Sequence, residues 1–220
     1  MKSAISEYKG VPVYINKKSI KHMYVRIKTS GCHINIPKKL SSISIEKYLY
    51  ENVDKIKETY NNLKTISYSI LGKPISVSYT KGEFKFDFSD NHLTIVHPTS
   101  FDEGFKLFLK ISMTTYIKKY DNEIKSHLTL FNITPVNYHF KYLTSKFGSY
   151  HRLKKTITLN TYLYMLDPLL IHYVLMHEYA HTKEFHHQKS FYDLQHQLCP
   201  NDKELSKRLK TLTIPSQFTL

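Results

Sequence analysis

Two histidines four residues apart with a glutamate beside the first, His177-Glu178-Tyr179-Ala180-His181, are followed by His187. The pattern is H-E-x-x-H-x-x-x-x-x-H. On a helix, positions i and i+4 stand one above the other. His177 and His181 therefore aim two imidazoles at one point, suited to an ion held at Zn–N distances of about 2.0–2.1 Å. Glu178 is rotated out of that pair, where a general base acting on a metal-activated water belongs. The chemistry implied is zinc-dependent hydrolysis, with His177 and His181 as ligands and Glu178 as the catalytic carboxylate. Spacing alone leaves the third ligand open among Glu184, His186, His187 and His196. With 13 His in 220 residues, the surroundings must support the motif.

The surrounding residues predict the elements that such a site needs. Asp167-Pro168 reads as a helix opening: Asp caps, and Pro at the first helical position gives up an N–H that would be unpaired there anyway. Leu170, Val174, His177 and His181 then follow on one helical face, with Leu169, Tyr173, Met176 and Ala180 on an adjacent apolar one. Imidazoles on so buried a helix need partners, because an unpaired buried polar group is costly. The apolar period lapses between His181 and Lys189 and resumes at Phe191, Leu194 and Leu198. That predicts a short connection and a second helix whose first turn carries His186 or His187. His196, two turns along it, reads as a surface or interhelical residue.

From Val174 to Leu209 the chain resembles the YgjP-like metallopeptidase domain family. The features that carry the resemblance are Val174-Leu175-Met176, the H-E-x-x-H segment, His187, Phe191-Tyr192, and Pro200 ahead of Leu205 and Leu209. Upstream, Ser145-Lys146-Phe147-Gly148-Ser149-Tyr150 and Ile157-Thr158-Leu159-Asn160 are similar to the family's S-R-W-G-S-C and I-x-L-N segments. They depart from them at Lys146, Phe147 and Tyr150. Val25-Arg26-Ile27, Ile34-Asn35-Ile36-Pro37 and Leu71-Gly72-Lys73 extend the likeness towards the N-terminus. The resemblance selects His187 as third metal ligand. It implies a zincin-like metallopeptidase with Zn²⁺, related to the WLM and SprT metalloproteases.

The rest of the chain predicts an α+β protein. An antiparallel β-rich region with one helix, 1–98, precedes a zincin-like minidomain of helices and a small sheet, 99–220. Val11 to Ile15, Met23 to Ile27 and Cys32 to Ile36 read as strands, the last two joined through Thr29-Ser30-Gly31. Ile45, Leu49, Val53, Ile56, Tyr60 and Leu63 mark one helix over 44–63. Ile75 to Tyr79, Phe84 to Phe88 and Leu93 to Val96 read as a further antiparallel set, its Phe row being a packed face rather than a base-stacking platform. Ser100 with Glu103 predicts a capping box opening a long helix to Leu128, and Asn201 with Glu204 a second for a last helix. Asn137 to Leu143 and Thr156 to Leu159 read as strands flanking a loop at Gly148. The second of these, as an edge strand, could pair with an extended peptide. Oxyanion stabilisation needs a further donor, for which Tyr150, His151, Arg152 and Tyr173 are the candidates.

Composition narrows the partners. The formal charge is +14, from 32 basic and 18 acidic residues, which favours anionic partners such as nucleotides or nucleic acid. Only Arg26, Arg152 and Arg208 are arginines, however, and scattered Lys is often just a solvated surface. Alternatives to a peptidase are thus a metal-dependent nucleoside triphosphate pyrophosphohydrolase, which lacks a Walker-type loop here, or a DNA-associated protease. No apolar run is long enough to span a bilayer, and residues 1–21 lack the apolar stretch of a secretory signal. Cys32 and Cys199, far apart and unpaired, suit a reducing, cytoplasmic setting.

Overall fold

The computed structural model describes residues 4–28, 31–39, 42–64 and 67–220. The expected turn residues Thr29 and Ser30 lie outside these. The chain forms two compact units, one of residues 1–66 with 215–217 and the other of 67–214 with 218–220. The fold is α+β throughout.

The first unit holds strands β1 (Ala4–Tyr8), β2 (Val11–Lys18), β3 (Tyr24–Lys28) and β4 (Gly31–Pro37), then helices α1 (Ser42–Glu51) and α2 (Val53–Lys64). Val11 and Val13 on β2 and Cys32, Ile34 and Ile36 on β4 bury alternate side chains against Ile45, Leu49, Ile56 and Tyr60 of the helices. This is the period of two that a half-covered strand imposes. The sheet order is β1-β2-β4-β3, with β2 and β4 parallel. Gly31 sits at φ +131° where any Cβ would collide with the Pro12 carbonyl, so the close approach of β4 to β2 requires glycine there. The helix predicted over 44–63 is interrupted at Asn52, whose side-chain amide and own N–H both donate to the Tyr48 carbonyl.

The second unit begins with the short strands β5 (Ser69–Ile70) and β6 (Lys73–Pro74), followed by β7 (Ser76–Lys81), β8 (Lys85–Ser89) and β9 (His92–His97). The β8–β9 pair is antiparallel as expected, but β7 runs parallel to β9 in the order β7-β9-β8. The aromatic row expected to be a packed face is largely exposed, Phe86 at 38% and Phe88 at 45%, although Phe86 meets Phe108 edge-on at 5.0 Å between ring centroids. Helix α3 (Phe101–Lys119) follows, opened by the Ser100 hydroxyl accepting from the Glu103 N–H, and then α4 (Asp121–Thr129). The sequence places a boundary near 98, whereas contacts divide the chain near 66. Leu93 and Ile95 of β9 are fully buried, and Gly104 of α3 lies directly against Ile95 and His97.

The site is carried by β10 (Asn137–Lys141), β11 (Gly148–His151), β12 (Thr156–Asn160), a 3₁₀ turn (Thr161–Met165), α5 (Pro168–Ala180), α6 (Lys189–Leu198) and α7 (Asp202–Lys210). The sheet order β10-β12-β11 corrects two expectations. The Gly148 segment is a strand, not a loop. Thr156 to Asn160 is central, paired on both sides, so it is closed to a peptide. Its burial on both faces explains the run Ile157, Leu159 and Asn160, all at 0% exposure. Asn201 precedes α7 but makes no side-chain capping bond. Among the described residues no helix is long and apolar enough to cross a membrane.

Candidate metal centre and active site

Helix α5 is set by the residue that caps it. Asp167 accepts from the Leu169 N–H through one carboxylate oxygen and from Arg208 Nη2, at 2.7 Å, through the other. Leu170, Ile171, Tyr173, Val174, Leu175 and Met176 are all buried, so the helix is covered around most of its circumference, as its unbroken apolar run requires. Tyr179, fully buried in the motif itself, bonds hydroxyl to hydroxyl with Tyr138 of β10. These contacts fix the azimuth at which His177 and His181 leave the helix.

The structure brings His177, His181 and His187 together. One ring nitrogen from each lies within 4.8 Å of the others, and the Nε2 atoms of His177 and His187 are 3.2 Å apart. Ligands on a tetrahedral zinc at about 2.0–2.1 Å are separated by about 3.3 Å, so this spacing fits a shared cation. His181 Nδ1 lies 3.1 Å from the Glu184 carbonyl. A carbonyl only accepts, so Nδ1 carries the proton and Nε2 keeps a lone pair for a metal. Fully buried Phe191 of α6 packs against all three imidazoles, at 5.0, 4.6 and 4.6 Å between centroids. Burial and the neighbouring imidazoles push the His177 pKa down to about 4, and His181 is lowered too, chiefly by burial. Both rings are thereby held neutral, the form that binds metal. Of the other residues open by spacing, Glu184 accepts from Ser190 and His196 bonds Asp202. Neither belongs to the cluster.

Glu178 is more enclosed than the sequence implies, at 5% exposure. Its surroundings are nevertheless polar. The Tyr150 backbone N–H donates to its carboxylate, and Lys146 adds positive potential. Burial outweighs both and raises its pKa to about 7. Gly148 passes directly over it: a Cβ there would stand 2.7 Å from Glu178 Oε1.

What holds that strand is Asn160, which residue-type reasoning did not single out. Its amide donates to the carbonyls of Leu143, at 2.7 Å, and Lys146, at 2.8 Å. Its carbonyl accepts from the N–H groups of Leu143 and Tyr162. One buried side chain thus pins the connection that leads into β11 and brings Gly148 over Glu178. The oxyanion donors expected from sequence are dispersed. His151 Nδ1 accepts from the Lys154 N–H, Arg152 stacks 4.0 Å from the Phe185 ring centre, and Tyr150 offers its N–H to Glu178. Tyr173 flanks His177 at 6.1 Å between centroids.

The family model for the YgjP-like metallopeptidase domain matches residues 21–212. The chain belongs to the YgjP-like metallopeptidase family. It is therefore a peptidase-like hydrolase, whose family implies a catalytic metal and a peptide or protein substrate. Among solved structures, the metallopeptidase zymogen abylysin of Pyrococcus abyssi is 25% identical over 43% of this chain and 92% of its own, with a TM-score of 0.38. The metallopeptidase zymogen jannalysin of Methanocaldococcus jannaschii is 28% identical over 44% of this chain and 97% of its own, with a TM-score of 0.35. No curated protein matches. In this YgjP-like chain the His cluster is a grouping that could hold the metal its family implies.

Proposed function

We propose that the chain is a zinc metallopeptidase in which His177, His181 and His187 hold the ion and Glu178 is the general base. The observation that carries this is the convergence of three imidazole nitrogens within 4.8 Å, next in the chain to a carboxylate that packs beneath an edge strand. Three neutral nitrogen donors suit zinc in a catalytic site, leaving a fourth position open. When bound, zinc supplies Lewis acidity to water and to the scissile carbonyl. Glu178 takes a proton from water and returns it to the leaving amine, the role of a carboxylate general base.

Peptide binding falls to β11, the edge strand packed against α5. The Phe147 carbonyl accepts from the Asn160 N–H. By the alternation of an antiparallel ladder, the N–H and carbonyl of Gly148 and the carbonyl of Tyr150 then face the open side, the Tyr150 N–H being taken by Glu178. An extended substrate adds there by main-chain hydrogen bonds, next to Glu178. Every group in this scheme lies within 99–220, which we take as the catalytic domain. The free, buried Cys32 and Cys199 suit a reducing cytoplasm.

The test is metal content and casein hydrolysis measured together for the wild type and Glu178→Gln. Wild type should bind about one zinc per chain and cleave, while the variant binds zinc without cleaving. A wild type without metal, or a variant of equal activity, removes the proposal.

A further inference from the structure

Beside the His cluster lies a cavity of about 780 Å³ that neither the metal scheme nor the edge strand uses. His177 forms part of its wall, so it borders the proposed metal centre. Tyr173 and Tyr192 give it aromatic sides, with the Tyr173 hydroxyl bonded to Ser206. Two features mark it as a binding site rather than a packing gap. Gln195 lines it at 2% exposure, and neither its amide nitrogen nor its amide oxygen has a hydrogen-bond partner. A buried amide left unpaired is costly, and such a group in a native protein calls for a partner. Opposite it, α7 places Lys203, Lys207 and Lys210 along the rim, at the spacing that aligns side chains on one helix face. Among the described residues no salt bridge engages these three lysines. The cavity's acidic residues are Asp202, whose carboxylate is held by His196 at 2.9 Å, and Asp193.

We propose that this cavity is a specificity pocket for a substrate carboxylate, either an acidic side chain next to the scissile bond or the peptide's own C-terminus. The lysine rim attracts the charge, while Tyr173 and Tyr192 enclose the aliphatic stem. The proposal rests on the peptidase reading for its catalytic meaning, but the pocket can be tested without it.

Two measurements on the full-length, zinc-loaded chain do so. The first compares kcat/KM for short internally quenched peptides that differ only as Glu against Gln beside the cleaved bond, or as free acid against amide at the C-terminus. The second measures, by fluorescence anisotropy, binding of the same peptides to the Glu178→Gln variant. Each is repeated with Lys203, Lys207 and Lys210 changed to Gln, and with the exposed Lys81, Lys85 and Lys110 changed to Gln as an equal-charge control. The carboxylate member of a pair should be favoured about tenfold, a contact of ordinary charge-assisted strength. The rim variant should lose that preference and the control should keep it. The pair that shows the preference identifies its source. Equal binding of both members by the parent, a preference surviving in the rim variant, or one lost equally in the control overturns the pocket. A carboxylate preference in binding without any cleavage leaves the pocket standing and removes the peptidase proposal instead.

Discussion

Glu178 combines two demands that pull against each other. It must be enclosed to hold a proton near neutral pH, yet reach the reacting water. Its raised pKa has a stability consequence in metal-free protein. The folded state binds the proton up to about pH 7, whereas the unfolded chain releases it at an ordinary carboxylate pKa. Between those values the folded state holds more protons, so stability falls as pH rises, and the cost is fully present above about 7. Gln cannot ionise. In chelator, Glu178→Gln should therefore be more stable than wild type at pH 8, by at most about 3 kcal/mol, with the gain shrinking towards pH 5. His177 acts oppositely, because its depressed pKa makes stability rise with pH between about 4 and the ordinary histidine value, but it is present in both proteins and cancels in the difference. Denaturant titrations at the two pH values check this; an equal gain at both would contradict the burial of the charge. With zinc restored, the same variant should lose about 10²–10⁴-fold in kcat. Gly148→Ala probes the other side of the carboxylate. Its Cβ would stand 2.7 Å from Oε1 and 2.9 Å from Cγ of Glu178, so the carboxylate must shift. The variant should keep its zinc by metal analysis and lose at least about tenfold in kcat, because small displacements of a reacting group are expensive.

At the level of elements, the sequence was most informative where one helix carries its own signals. Asp167 caps α5 as its position before Pro168 implies, and His177 and His181 meet because four residues make one turn. Pairings between distant segments left weaker marks. Alternation identifies β12 as a strand but not its neighbours, and only its two-sided burial reveals it as central. The parallel partners of β4, β9 and β12 are likewise set by tertiary packing, as is the conversion of the Gly148 segment into β11. Asn160 is the clearest case. Its type suggests a turn, yet it braces the connection before β11, 14 to 17 residues away. Asn160→Ala would leave two carbonyls and two N–H groups without that partner. It should cost about 3–5 kcal/mol by denaturant unfolding and lower kcat by releasing Gly148 from Glu178. A loss below about 1 kcal/mol with normal kcat would show that the segment is held by other contacts.

Across the whole molecule, a formal charge of +14 is spread over Lys far more than Arg, and the structure concentrates chemistry at a meeting point of chain segments instead. His177 and His181 come from α5, His187 from the connection after it, and Phe191 from α6 beneath them. A cation shared by the three imidazoles therefore ties α6 to α5, and binding only the folded chain must stabilise it. At a free zinc concentration about 100-fold above Kd the gain is about 2.7 kcal/mol. For a protein of this size about 2–4 °C accompanies each kcal/mol, so adding zinc to the chelated protein should raise Tm by about 5–10 °C. His187→Ala removes an exposed side chain and should alter the metal-free Tm little while abolishing most of that rise. Scanning calorimetry of both proteins with chelator and with zinc measures it. A wild-type Tm indifferent to zinc, or a variant with the full rise, would mean that the cluster does not hold the ion.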